Sequence, residues 1–210
     1  MAVGGVPART GAAELARGAG WVAAVSVIVL ILSVAGDSVR QWLRYDRQAV
    51  LAGGEMWRLL TAHWVHMSPL HALLNVFGLN IIHFGFDGWR TPKRAFAALI
   101  GCQLGVSAGL LAVSSQVSWY VGLSGALHGY LLALVLAQPG FGRLWRGAVV
   151  AGVILKVGRE VLQGPSPELE AALGGHILVM AHVYGALSGA LLGTGARLVK
   201  RLRHCTETPG

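Results

Sequence analysis

Residues 121–137 read Val-Gly-Leu-Ser-Gly-Ala-Leu-His-Gly-Tyr-Leu-Leu-Ala-Leu-Val-Leu-Ala. The uninterrupted apolar run predicts a buried or membrane-spanning helix that begins near Ser124. Free N–H groups at a helix start favour negative charge, and neighbouring glycines let a substrate approach the backbone. Serine and glycine are also common packing residues in membrane helices. Taken alone, the segment leaves Ser124 open as a packing residue or a nucleophile.

The composition indicates a membrane protein. Hydrophobic residues make up 54% of the 210 residues and charged residues 12%, which leaves too little polar surface for a soluble domain. The 30 glycines follow no repeat and are typical of helices that pack closely in lipid. The net charge of +8 comes from short basic groups between apolar stretches, a pattern that orients membrane proteins. We therefore predict membrane lipids as partners, and no nucleic acid.

The apolar pattern predicts an all-α membrane protein with six spanning helices, because a span needs about 20 apolar residues. The spans are predicted at 20–35, 70–86, 95–113, 123–138, 146–162 and 175–198. They form one membrane domain over residues 20–198, between a cytoplasmic N-terminal segment (1–19) and a basic cytoplasmic tail (199–210). The first span also fits a cleaved signal peptide, although the polar stretch before it favours an uncleaved helix.

The distribution of Lys and Arg predicts the orientation. Most of them fall on the cytoplasmic side if the N-terminus is inside, as the positive-inside rule requires. Both termini are then cytoplasmic, and Ser124 lies near the outer surface. The longest external connection, residues 37–68, carries Trp42, Trp57 and Trp64 among arginines and is predicted to lie along the membrane surface.

A histidine in the last predicted span is a candidate base for Ser124. His182 is followed by Gly185, Gly189 and Gly193, and these spacings place the glycines on the face of the histidine. A neighbouring helix can then approach almost to backbone contact beneath the imidazole. A lone intramembrane histidine is otherwise a packed polar residue, but the glycine face brings a serine on the fourth span within reach.

The second predicted span begins with His66-Met-Ser-Pro-Leu-His71-Ala-Leu-Leu-Asn75. His71 and Asn75 are four residues apart, so both project from one helix face and are able to donate hydrogen bonds to one oxyanion. The alternative is that they hydrogen-bond neighbouring helices, because an unpaired polar group in lipid is costly.

No carboxylate is predicted beside His182. All nine acidic residues lie outside the apolar cores, so the arrangement is predicted to be a Ser-His dyad. Lys156 and Glu160 are predicted to pair on one face near the end of the fifth span, with snorkelling side chains. A functional role for Lys156 stays open, because charges at membrane depth are often functional.

Taken in order, these motifs resemble the rhomboid intramembrane serine proteases. The resemblance rests on Trp57-Arg58-Leu-Leu-Thr61, His66, His71-x-x-x-Asn75, Gly122-x-Ser124-Gly125, and His182 with Gly185 and Gly189. It implies a six-transmembrane-helix bundle with Ser124 as nucleophile and His182 as general base and acid. It further implies an oxyanion hole of His71, Asn75 and the Ser124 amide, a substrate gate at the fifth helix and the loop after it, and no cofactor or metal.

The run from Tyr120 to Gly129 and the short loops are similar to the rhombosortase branch of that family. The branch is associated with bacterial exported proteins that end in a Gly-Gly motif, a hydrophobic helix and a basic tail. The similarity implies a transmembrane substrate whose tail is removed at the outer face of the bacterial inner membrane. His128 stands where commoner rhomboids often stack an aromatic side chain on the catalytic histidine. It either replaces that stacking or competes for a hydrogen bond with His182.

Two other functions are compatible with the sequence. A haem or metal-binding membrane protein would use histidines on several helices. They are His63, His66, His71, His128, His176 and His182. No His-Glu-x-x-His run occurs, and this hypothesis leaves Asn75 unexplained. The second alternative is an inactive rhomboid-like protein that binds membrane clients, although such a protein is expected to have lost the serine or the histidine.

Overall fold

The computed structural model describes residues 9–86, 91–138 and 140–207. The helices are α1 (Arg9–Ser33), α2 (Asp37–Leu43), α3 (Arg47–Leu51), α4 (Arg58–Thr61), α5 (Pro69–Gly85), α6 (Pro92–Ala112), α7 (Ser124–Ala137), α8 (Arg143–Gln163), α9 (Pro167–Leu173) and α10 (Val179–Glu207). Strand β1 (Tyr45–Asp46) pairs antiparallel with β2 (Trp119–Tyr120). Residues 1–8 of the predicted N-terminal segment and 208–210 of the predicted tail lie outside the described residues.

The long helices α1, α5, α6, α7, α8 and α10 coincide with the six predicted spans. Helix α1 extends into the predicted N-terminal segment as far as Arg9, the first described residue. Helix α10 likewise continues into the basic tail. The predominantly helical architecture is confirmed.

These helices differ in the length of their apolar stretches. Among the described residues, one helix, Pro92–Ala112, is long and apolar enough to cross a membrane, with a mean hydropathy of 1.8. Gly18–Ser33 and Ser124–Ala137 are shorter apolar stretches. Helix α8 carries Lys156, Arg159 and Glu160 in its second half. The six-span topology therefore stays a prediction.

Helix α7 lies at the centre of the bundle, where it contacts α5, α6, α8 and α10. Glycines bring it against α10. A Cβ atom at Gly125 would lie 2.6 Å from the carbonyl oxygen of Ala181, and one at Gly185 or Gly189 would collide with the α7 backbone at Gly125 or Gly129. The prediction of a glycine face that admits a neighbouring helix is confirmed.

A buried arginine organises the external connection between α1 and α5. The Arg58 guanidinium donates from Nη1 to the carbonyl oxygens of Gln41 at 2.8 Å and Arg44 at 2.9 Å. Its Nε donates to Glu55 Oε2 at 2.5 Å. The rigid Arg58 guanidinium therefore bonds two backbone carbonyls and one carboxylate at once. These bonds fix α2, the start of α4 and the segment between them relative to one another.

The three tryptophans of this connection differ in environment. Trp42 and Trp57 are exposed, as expected of residues that lie along a membrane surface. Trp64 instead packs against the core, and its Nε1 donates to Gln103 Oε1 at 3.4 Å. The prediction of a surface position is wrong for Trp64, because its indole finds apolar contacts and a polar partner inside the bundle.

Candidate active site

A sharp turn delivers Ser124 to the first position of α7. Gly122 has a φ of +118°, which an L side chain rarely adopts, and a Cβ there would lie 3.1 Å from His71 Cε1. Glycine meets both requirements. The Gly122 amide donates to the carbonyl of Ala62 at 3.0 Å, which anchors the turn to the external connection. Ser124 thus stands half-buried at a helix N-terminus.

The structure brings Ser124 and His182 together. The Ser124 Oγ lies 2.9 Å from His182 Nε2, and the histidine is buried on α10. Gly125 directly follows Ser124, and it meets Gly185, which lies about one turn after His182, so close backbone packing sets the separation of the two side chains. This is the geometry of a nucleophile and its base.

A carboxylate lies on the other side of the imidazole. Glu160 Oε2 of α8 lies 2.8 Å from His182 Nδ1, and both side chains are 5% exposed. Lys156 Nζ donates to the same oxygen at 2.9 Å and lies 3.3 Å from His182 Nδ1. The predicted pairing of Lys156 with Glu160 is confirmed. The prediction that no carboxylate lies beside His182 is wrong, because α8 turns Glu160 inward towards α10.

His128 covers one face of the His182 ring. The two ring centroids lie 4.5 Å apart and the planes are inclined by 30°. Nδ1 of His128 donates to the carbonyl oxygen of Ser124 at 2.7 Å. The contact with His182 is therefore stacking, and the hydrogen bond of His128 goes to its own helix.

The predicted oxyanion donors face the same cavity as Ser124. Asn75 Nδ2 donates to the carbonyl of His71 at 2.9 Å, which uses one of its two protons. The Nδ1 atom of His71 is buried and has no hydrogen-bond partner among the described residues. Asn75 thus keeps one free donor proton, and the His71 side chain lines the same cavity as the serine.

His66 supports this site from outside the predicted spans. Its ring meets the His71 ring edge to face, with centroids 4.8 Å apart. Its Nε2 accepts a hydrogen bond from the amide of Leu123 at 3.4 Å, in the turn before Ser124. Burial, with a smaller effect of His71 and His63, lowers the pKa of His66 to about 3. A neutral imidazole is what this acceptor role requires.

The site opens into a cavity of about 710 Å³. Its walls come from α5, α7, α8 and α10, from the loop before α7, and from α9 with the segment after it. Helix α9 was absent from the predicted spans, since a seven-residue helix of mixed polarity gives no span pattern. His176 Nδ1 contacts Glu170 Oε1 at 2.8 Å, and the same oxygen accepts from the Ile177 amide. This carboxylate ties α9 to the chain that leads into α10.

A family profile described as "Rhomboid domain" matches residues 53–198, which include Ser124, Glu160 and His182. The chain belongs to the rhomboid family. It is therefore a membrane protein of a family whose members are typically intramembrane serine proteases. The "RHOMBOID-like protein 6, mitochondrial" of Arabidopsis thaliana is 35% identical over 91 residues. That alignment covers 43% of this chain and 29% of the plant protein, so the chain matches less than a third of this relative's length.

Several histidines of this rhomboid pack in pairs or hydrogen-bond to other protein groups. Within the described residues, no group of three His, Cys, Asp or Glu side chains is placed to hold a metal ion. His63 Nε2 lies 3.1 Å from Ser107 Oγ, and His128 stacks on His182. The described residues therefore form no metal site with three or more such ligands.

Proposed function

We propose that this rhomboid is an intramembrane serine endopeptidase that cleaves a substrate near or within a transmembrane segment. The observation that carries the proposal is the 2.9 Å contact between Ser124 Oγ and His182 Nε2. The pair stands at a helix N-terminus, on the wall of a cavity wide enough for a peptide. A packing serine needs neither a buried imidazole partner nor access to a cavity.

The chemistry follows the pattern of nucleophilic catalysis. Ser124 Oγ attacks the peptide carbonyl while His182 Nε2 takes the hydroxyl proton. The developing oxyanion is stabilised by the Ser124 amide, the free Asn75 Nδ2 proton and His71. The C–N bond then breaks, and His182 returns the proton to the leaving amine. Water attacks the acyl-enzyme by the same route in reverse and releases the new C-terminus.

The proposed setting is the inner membrane of a bacterium, with six spans and both termini cytoplasmic. The positive-inside distribution of Lys and Arg supports it. The cavity is bordered by the loop before α7 and by α9, two segments that this topology puts outside. Substrate would thus meet Ser124 close to the outer face, where water for deacylation is available.

The proposed substrates are exported proteins that end in a Gly-Gly motif, a hydrophobic helix and a basic tail, which the enzyme would remove. The similarity of Tyr120 to Gly129 to the rhombosortase branch supports this choice. The cavity wall adds Leu74, Leu127 and Leu131, which suit an apolar helix. A Gly-Gly pair would let the scissile backbone lie close to the turn at Gly122.

The test is co-expression with a Gly-Gly-tailed reporter, comparing wild type with Ser124→Ala and His182→Ala. Ser115→Ala is the matched control, because Ser115 is exposed and outside the cavity wall. We expect tail removal by wild type and Ser115→Ala only. Equal processing by all four proteins would overturn the proposal. Reporter capture without cleavage, together with no fluorophosphonate labelling of Ser124, would indicate the client-binding alternative.

A further inference from the structure

The Lys156–Glu160 pair does not have the geometry of a surface ion pair. The Lys156 side chain is 43% exposed, whereas that of Glu160 is 5% exposed. A snorkelling pair would keep both heads near water. The Glu160 carboxylate is instead buried and contacts the imidazole of His182 on α10. A buried carboxylate is costly unless it is paired, so its place beside His182 calls for a role.

The chemistry of the partners determines where the imidazole proton lies. An ionised carboxylate only accepts hydrogen bonds. The 2.8 Å contact with Glu160 therefore requires that His182 Nδ1 carry the proton. Nε2 then presents its lone pair to the Ser124 hydroxyl, which is the tautomer that a general base needs.

Lys156 favours the opposite tautomer. An ammonium only donates, and Lys156 Nζ lies 3.3 Å from the same Nδ1 atom. If it donated there, Nε2 would carry the proton and would donate to Ser124, which would leave the serine without a base. Glu160 prevents this, because its Oε2 accepts both from Lys156 and from His182.

We propose that Glu160 is a positioning residue that holds His182 in the Nδ1–H tautomer and that Lys156 serves as the counter-charge of the carboxylate. The proposal rests on the proposed serine chemistry of Ser124. It also links catalysis to α8, since the base is correctly protonated only while α8 lies against α10.

The test compares Glu160→Gln, Lys156→Met and the double variant by two readouts. Glu168→Gln is the matched control, because Glu168 is an exposed carboxylate that contacts Ser166 rather than the site. The first readout is the rate of fluorophosphonate labelling at Ser124, with kcat and KM on a cleaved reporter. The second is the NMR signal of an Nδ1–H proton bonded to a carboxylate, in protein labelled with ¹⁵N-histidine.

The expected results are asymmetric. Glu160→Gln lowers the labelling rate and kcat at least about 100-fold with little change in KM. Without the carboxylate, the proton of His182 moves to Nε2, which then cannot accept the proton of Ser124. Lys156→Met lowers the labelling rate and kcat by only about fivefold, the effect of one lost hydrogen bond, because Glu160 loses its counter-charge but keeps the hydrogen bond from His182 Nδ1. The double variant labels faster than Glu160→Gln, because no ammonium is left to donate to Nδ1. The downfield proton signal is present in wild type and Lys156→Met and absent in Glu160→Gln.

Equal losses of labelling rate and kcat in Glu160→Gln and Lys156→Met, with no recovery in the double variant, would overturn the inference. The ion pair would then only stabilise α8. Absence of the downfield proton in wild type would also overturn it. Failure of the proposed function has a different signature, which is wild-type protein that shows no Ser124-dependent labelling while the proton signal is intact. Thermal unfolding in detergent identifies any variant that fails to fold.

Discussion

The His128 ring stacks on the His182 ring at a centroid distance of 4.5 Å. Its Nδ1 is hydrogen-bonded to the carbonyl of Ser124, and the two nitrogens of His182 face Ser124 and Glu160. His128 therefore does not compete for either nitrogen of the base. Of the two roles that the sequence left open for this residue, the geometry favours stacking.

Replacing His128 separates the stacking from the hydrogen bond. His128→Phe keeps an aromatic ring beside His182, whereas His128→Ala removes it. An aromatic contact of this kind contributes about 0.5–1.5 kcal/mol, so we expect His128→Ala to lower kcat/KM roughly 2- to 12-fold and His128→Phe to stay near wild type. Reporter cleavage in detergent measures both. If Phe proved as damaging as Ala, the hydrogen bond to Ser124 would be the function of His128.

Asn75 is the second residue whose role can be isolated. We expect Asn75→Ala to lower turnover roughly 100- to 1000-fold with little change in KM, the effect of removing one oxyanion donor. Asn80→Ala is a matched control one turn along α5, where the amide bonds Ser26 Oγ and the Val76 carbonyl. Steady-state kinetics on a cleaved reporter provides the measurement. Equal effects of the two substitutions would assign Asn75 to helix packing.

The contact between Ser124 and His182 could be predicted from the sequence, whereas the contact between Glu160 and His182 could not. The spacing of Gly185 and Gly189 specifies a face of one helix, and that face can meet only a helix with equally small residues. The chain supplies such a helix beside Ser124. Local periodicity thus determined a long-range contact.

The partner of Glu160 depends on geometry that no local spacing encodes. Lys156, four residues earlier, satisfies the helical pairing rule by itself, so the pattern accounts for Glu160 without a third group. Whether its carboxylate points to water or to α10 depends on how α8 is rotated about its axis. A carboxylate in the second half of a predicted span was the available signal.

The glycine contact can be tested for its effect on stability. Gly185→Ala places a methyl group against the Gly125 backbone, which cannot yield as a flexible side chain would. We expect a loss of about 1–3 kcal/mol in unfolding free energy and weaker Ser124 labelling as the helices separate. Gly195→Ala on the same helix meets nothing within 4 Å. It should leave Ser124 labelling unchanged and raise the unfolding free energy by up to about 1 kcal/mol, because alanine is the better helix former. Unfolding in detergent compares them, and equal stabilities would contradict the proposed close packing.

Arg58 should be the main stabiliser of the external connection. Arg58→Met leaves the Gln41 and Arg44 carbonyls and the Glu55 carboxylate without this donor. We expect a loss of about 3 kcal/mol, the lower end for a broken buried pair, because Glu55 is partly exposed. Arg159→Met removes the same charge from an exposed position and should cost less than about 0.5 kcal/mol. Chemical denaturation measures both, and similar values would show that the Arg58 contacts contribute little.

Acid should destabilise the protein through His63. This imidazole lies in the connection between α4 and α5, outside the predicted spans, and burial lowers its pKa to about 4. The unfolded chain takes up a proton near pH 6.5, so the stability due to neutral His63 is lost as the pH falls from about 6.5 to 4. At pH 5 the loss is about 2 kcal/mol. We expect His63→Gln to show a shallower fall in Tm between pH 7 and pH 5 than wild type, and the exposed His176→Gln to match wild type. Parallel Tm curves for wild type and His63→Gln would show that His63 is not the group that titrates.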